Sequence, residues 1–313
     1  MKLVRDAILV VGAEGFIGRH LVLKLHKTGR RVVAVCRHPA KNVLPDIQHI
    51  VVESGNPEHI TENLTMCSTV IWLACVSTPG SSAGKPLDEL HGNLQPLLTL
   101  LQNMQYRKGC KLIYISSGGT LYGDVTGGDA TEEMPLRPKS YYGAGKAAAE
   151  HFITAWSHQY RRSATIIRPS NIYGPGQTKR NGFGIIPTAF EKLVHNQPVT
   201  VWGDGEAIRD YLYIDDFSSL CLKVIEKQMD TGTHVLNAAS GEGVNLNQLL
   251  DLIEKISSKP FDRIYERGRT VDVSRIVLNN AAARQHCTWH PEVPLNEGLT
   301  RTWKWFRTLG QLT

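Results

Sequence analysis

Residues 7–27 read AILVVGAEGFIGRHLVLKLHK, and this run restricts the fold more than any other. Five apolar residues of strand length lead into three glycines spaced G-x-x-G-x-x-G, and an amphipathic segment of helical period follows. Gly12 permits a tight turn, Gly15 lets backbone approach a phosphate, and Gly18 lets helix and strand pack closely. The helix start then presents unpaired N–H groups and the positive end of its dipole. Placed between an N-terminal strand and a helix, the triplet predicts a nucleotide-binding turn made by Gly12, Gly15, Phe16, Ile17 and Gly18.

Further apolar runs of strand length follow at 31–36, 49–52, 69–74, 111–116 and 164–168, with helical patterns between them. They are continuous rather than alternating, as strands covered on both faces by helices require. The fold class expected is α/β: a Rossmann-type doubly wound parallel sheet with a smaller C-terminal α/β substrate-binding domain. The nucleotide domain is placed at 1–170 and the smaller domain at 171–313, with part of 199–240 returning to the first. Amphipathic helices are expected at 184–196, 217–227 and 246–256.

Net charge is +6, but Lys and Arg are scattered, so a field favouring an anionic small substrate fits better than nucleic acid. No apolar window reaches membrane-spanning length, and the first residues read as a strand rather than a leader. Six cysteines show no CxxC pair and no metal-like grouping with histidine, so no metal is expected and a cytoplasmic setting is.

The second strand ends Val35-Cys36-Arg37-His38, without the carboxylate that holds an adenosine ribose in NAD enzymes. Arg37 is a candidate partner for a 2′-phosphate, or a solvated surface arginine. NAD is the expected cofactor, with NADP kept open by Arg37.

The chemistry points to two stretches, ISSGGTLYG (115–123) and SYYGAGK (140–146). Tyr142 and Lys146 stand four apart on a helical pattern, so they share a face. A phenol ordinarily ionises near pH 10. A neighbouring ammonium and a positive nicotinamide ring favour phenolate, which predicts a pKa lowered toward the working range. On spacing alone the pair is equally a surface coincidence.

In order, the chain carries GAEGFIG, VIWLACVS, ISSGGTLYGD, TEEMPLRPKSYYGAGK, IIRPSNIYGPGQ, WGDGEAIRDYLYIDD, NAASGEGVNLNQL and WHPEVPLNEGLTRTWKW. Together these resemble the extended short-chain dehydrogenase/reductase superfamily, in its NAD-dependent epimerase/dehydratase branch, and most of all the UDP-hexose 4-epimerases. The resemblance implies that Tyr142 is the catalytic base and that Lys146 binds the nicotinamide ribose and tunes the tyrosine. It implies that Asn171, Arg209 and Arg269 contact a nucleotide diphosphate, that Asp272 holds the nucleoside ribose, and that Trp202 lies by the uracil. It further implies a homodimer formed through the Tyr142 helix and the helix at about 88–104. No nucleic-acid or membrane partner is implied.

The sequence departs from the family at Gly118, where a catalytic Ser or Thr is usual. A substitute hydroxyl is expected, Thr120 first and Ser117 second. The implied reaction is epimerisation of a UDP-hexose by transient oxidation at carbon 4. An NADP-dependent nucleotide-sugar ketoreductase and a non-catalytic dinucleotide-binding regulator are the alternatives. A 4,6-dehydratase is disfavoured, because Gly119 and its neighbours offer no acid pair. In the loop 174–183, Lys179 and Arg180 read as solvated charge.

Overall fold

The structure, a computed structural model, describes residues 6–39, 46–52, 58–125, 127–179, 184–227, 229–268 and 272–310. Its centre is a seven-stranded parallel sheet. The first half contributes β1 (Ala7–Val11), β2 (Val32–Cys36), β3 (Gln48–Val51), β4 (Cys67–Trp72) and β5 (Lys111–Ile115). Between them run α1 (Phe16–Lys27), α2 (Glu58–Asn63), α3 (Pro86–Glu89), a π-helical turn (Leu90–Leu94) and α4 (Gln95–Met104). A single turn, α5 (Gly118–Leu121), a 20-residue helix, α6 (Tyr141–Tyr160), and β6 (Ser163–Pro169) follow.

After β6 the chain alternates shorter elements: β7 (Asn171–Tyr173), α7 (Ile185–Val194), β8 (Val199–Trp202) and β9 (Ile208–Tyr213). Next come α8 (Ile214–Glu226), β10 (Gly232–Ala238), β11 (Gly243–Asn245), α9 (Leu246–Ser257), β12 (Arg263–Glu266), β13 (Arg275–Ile276), α10 (Ala281–Cys287) and α11 (Leu295–Gly310). The main sheet has the order β10-β6-β5-β4-β1-β2-β3, which places a reversal between β1 and β4, where a doubly wound fold binds its ligand.

Both faces of this sheet are covered, which is why its strands read as unbroken apolar runs. On one face Ile8, Val10 and Ala34 pack with Leu21 and Leu25 of α1 and Phe217 and Leu220 of α8. On the other, Leu9, Val33 and Val70 pack with Leu97 and Leu101 of α4 and Ile153 of α6. α8 and β10 thus return to the main sheet after an excursion through α7, β8 and β9.

A second sheet joins β11-β9-β13, with β7 also on β9, and a small one joins β12 and β8. Their core is Phe190, Val199, Val201, Leu249, Ile253 and Trp303, where Phe190 stacks on Trp303 at 5.5 Å between ring centroids. Among the described residues no helix is long and apolar enough to cross a membrane.

Candidate active site

The glycine turn is built as its spacing demands. Gly12 has φ of +91°, and a Cβ there would lie 2.8 Å from the Ala74 nitrogen. A Cβ on Gly18 would lie 2.2 Å from the Gly12 carbonyl oxygen, so helix and turn touch. α1 begins without a side-chain cap, and no acid stands in its first turn. Its leading N–H groups therefore remain available to an anion, and these residues fit a dinucleotide pyrophosphate. Phe16 and Ile17 turn their side chains to neighbouring apolar groups, Phe16 meeting the His20 ring edge-on at 5.4 Å. What they offer a ligand is backbone. Arg37 is exposed just past the end of β2.

Tyr142 enters at the first turn of α6, fixed on both sides. Ser140 caps the helix by accepting from the Gly143 N–H at 3.1 Å, and the Tyr142 N–H donates to Ser82 Oγ at 3.1 Å. One turn on, Lys146 is 5% exposed and donates to the Ile115 carbonyl at 2.9 Å. Its Nζ stands 5.8 Å from the centre of the Tyr142 ring and 4.8 Å from that of Tyr114.

The expected lowering of the tyrosine pKa invokes Lys146 and a bound nicotinamide ring together; the chain by itself shows the opposing effect of burial. Burial pushes the Tyr142 phenol up to about 12, against opposing pulls from Lys146 and from hydrogen bonding to Ser117. Desolvation is the larger effect, although the Lys146 ammonium, which also donates to the Ile115 carbonyl, pulls the other way.

Of the two substitute hydroxyls, Ser117 lowers the phenol's pKa against the larger effect of burial. Ser117 precedes α5 in extended conformation but does not cap it, so its hydroxyl is free for other partners. Thr120 stands one turn away and donates to Ser117 Oγ at 2.9 Å. Gly118 has a steric cause. A Cβ there would lie 2.3 Å from Leu278 Cδ1 and 3.1 and 3.2 Å from the Pro169 and Arg168 carbonyl oxygens. At Gly119 a Cβ would meet only Asn171 Oδ1, at 4.0 Å.

A buried polar network holds this stretch from behind. Glu150, one turn beyond Lys146, accepts from Ser116 Oγ at 2.5 Å and from Arg168 Nη2 at 2.6 Å. Both members of this ion pair are nearly sealed, at 6% and 4% side-chain exposure. Arg168 also donates to the Tyr122 hydroxyl at 2.9 Å, and Tyr122 donates to Asn237 Oδ1 at 2.8 Å. Every polar group in the chain of contacts is matched, which burial requires.

The residues implied for the substrate lie on the second sheet and beside it. Asn171 on β7 donates to the Asp210 carbonyl at 2.9 Å and borders the Gly119 turn. β9 carries Arg209, which pairs in register with Ile276 of β13 and donates to its neighbour's carbonyl at 2.9 Å. Next to it the buried Asp210 accepts from Ser240 Oγ at 2.8 Å and from the Gly241 N–H at 3.1 Å, tying β9 to the end of β10. Asp272 is half-buried, three residues before β13, and Ile276 is buried. Trp202 ends β8 and is 44% exposed. Arg269 and Arg180 lie outside the described residues, while Lys179 pairs at 3.6 Å with Glu191.

The model of the NAD dependent epimerase/dehydratase family matches residues 8–239, from β1 to just past β10. The chain belongs to that family. A family member from Methanocaldococcus jannaschii, a putative UDP-glucose 4-epimerase, is 27% identical over 304 residues, 96% of this chain and 98% of that one. The UDP-glucose 4-epimerase of Thermotoga maritima, solved with UDP-glucose, superposes with a TM-score of 0.91 at 29% identity, over 97% of this chain and 99% of that one. The Thermus thermophilus UDP-glucose 4-epimerase, solved with NAD, gives 0.89 at 28% identity over 96% and 99%.

Within this family site, several contributors escape a reading of the sequence. Glu89 is 4% exposed, accepting from Ser77 Oγ at 2.5 Å and from Asn93 Nδ2 at 2.7 Å, and its side chain lies against Gly145 of α6. Asn93, inside the π-helical turn, also accepts from the Val76 N–H at 2.8 Å and so fixes the loop after β4. That loop brings Cys75 near enough to Tyr142 to raise its pKa further. A usable signal existed for Glu150 alone: it continues the four-residue spacing of Tyr142 and Lys146.

Proposed function

We propose that the protein is a UDP-hexose 4-epimerase working with a retained NAD. The observation that carries this reading is Tyr142 with Lys146 buried one turn along the same helix, and the Thr120–Ser117 hydroxyl pair of which Ser117 lowers the phenol's pKa. It supplies an acid–base group at the place where the family's usual hydroxyl is missing. The glycine turn fits NAD, and related structures carrying UDP-glucose and NAD support both ligands.

When bound, the dinucleotide supplies the hydride acceptor and returns the hydride. Tyr142, as phenolate, takes the proton of the sugar 4-hydroxyl and later gives it back. Ser117 shares that hydrogen bond, and Thr120 orients Ser117. Lys146 keeps positive charge beside the phenol. Asn171, Arg209, Arg269, Asp272 and Trp202 hold the UDP portion, so the 4-keto sugar can swing on its diphosphate tether and present its other face. Bidentate arginine contacts suit that anchor.

Residues 1–170 together with the returning α8 and β10 form the nucleotide half, and the rest of 171–313 forms the substrate half. Leu87, Leu90 and Phe152 are exposed apolar residues on α3, the π-turn and α6, which supports a homodimer through these elements. Six free cysteines, five of them buried, support a cytoplasmic setting.

The test is an NMR time course with UDP-glucose and, separately, UDP-N-acetylglucosamine, adding no coenzyme. Accumulation of a 4-epimer to a fixed ratio supports the epimerase. Turnover only with NADPH and a keto-sugar would replace it by the ketoreductase. Silence in both would leave the regulator.

A further inference from the structure

The family's ribose-binding acid is missing from the end of β2, yet a carboxylate reaches the same place from elsewhere. Glu14 lies inside the glycine turn, between Gly12 and Gly15. Its carboxylate, the Cys36 sulfur and a ring nitrogen of His49 all lie within 4.8 Å of one another. The register pairs Ala34 with His49 and Cys36 with Val51, so His49 and Cys36 share a face of the sheet.

Two features mark this cluster as incomplete. Neither ring nitrogen of His49 has a partner, although both are shut off from solvent. One of them carries a proton in any neutral tautomer, and a buried donor without an acceptor is destabilising. On Glu14, Oε2 takes the Arg19 guanidinium at 3.2 Å, whereas Oε1 has no hydrogen bond among the described residues.

The end of the second strand, opposite the glycine turn, is where a doubly wound fold receives the adenosine ribose. We propose that Glu14 is the residue that binds this ribose diol and selects the unphosphorylated dinucleotide, with His49 as the positioning residue behind it. This rests on the dinucleotide reading above. A ribose has two adjacent hydroxyls that can donate to a carboxylate. A 2′-phosphate would bring close to two negative charges against Glu14 and be repelled. Arg37, exposed past the strand end, is then surplus to recognition.

Sulfur, nitrogen and oxygen donors also suit zinc. The Arg19 guanidinium beside Glu14 argues for a neutral diol instead, since a bound cation would stand next to its positive charge.

The experiment titrates the purified full-length chain, freed of any retained dinucleotide, with NADH and NADPH by fluorescence, and in parallel with zinc by calorimetry. The wild type should prefer NADH by about 100-fold. Glu14→Gln should reduce that preference to under 10-fold, with its circular dichroism unchanged, and Arg37→Ala should leave it intact. His49→Phe should lower the preference and His49→Gln restore it. An unchanged ratio in Glu14→Gln, or a ratio that collapses in Arg37→Ala, overturns the proposal while leaving the epimerase reading standing. Stoichiometric zinc binding that Glu14→Gln abolishes without touching NADH overturns it in favour of a metal site. Failure of the wild type to bind either dinucleotide removes the cofactor site and the proposal together. A retained preference in a chain that epimerises no sugar removes only the epimerase.

Discussion

Ser117 accepts the Thr120 hydroxyl at 2.9 Å and pulls the Tyr142 pKa down against the larger effect of burial. The two hydroxyls are therefore unequal. We predict that Ser117→Ala lowers kcat by about 100-fold, near the lower end of acid–base contributions. Thr120→Val should cost about tenfold, as loss of one orienting hydrogen bond. Steady-state kinetics with UDP-glucose decides it; equal losses would refute the relay.

Tyr142→Phe removes the proton acceptor itself. Turnover should fall by about 10³-fold while UDP and dinucleotide binding persist. Isothermal titration alongside kinetics separates the two, and a variant retaining a tenth of wild-type kcat would exclude Tyr142 as the base.

Burial pushes both Tyr122 and Tyr142 up to about 12 from an ordinary value near 10. The folded chain thus keeps protons that the unfolded chain releases first. This stabilisation is fully present below about pH 10 and is lost as pH rises toward 12. The urea midpoint of the dinucleotide-free protein should fall across that window, and less steeply in Tyr122→Phe. A flat midpoint from pH 10 to 12 would contradict it.

Gly118→Ser should not restore the family's hydroxyl at no cost. Its Cβ meets Leu278 at 2.3 Å, and such overpacking destabilises by about 1–3 kcal/mol. Gly119→Ser, with open space, should shift stability by under ~0.5 kcal/mol beyond the backbone effect. Denaturation midpoints of the two variants make the comparison.

Glu150→Gln leaves the Arg168 charge buried without its counterion, and should cost about 3–5 kcal/mol. Chemical denaturation measures this. A loss under ~1 kcal/mol would mean that water enters behind the sheet.

The main sheet was legible because six of its seven strands fall on apolar runs seen in the sequence. β10 was less visible: GTHVLNA is a mixed sequence whose place comes from pairing along β6. β13, two residues long, carries no period at all. In the site, Tyr142 and Lys146 were visible because their spacing is local. The close approach of Leu278 to Gly118 was not, since Leu278 is distant in sequence. The burial acting on the tyrosine pKa was hidden too. Spacing reveals the neighbouring charge but not the burial that outweighs it.

The pressed contact between Gly118 and Leu278 also constrains how this chain can change over generations. A serine at 118 is blocked while Leu278 stands, and a smaller residue at 278 alone opens a void behind the catalytic turn. The two positions are therefore epistatic. A lineage moving its hydroxyl from 117 to 118 therefore passes through a less stable intermediate unless both positions change together.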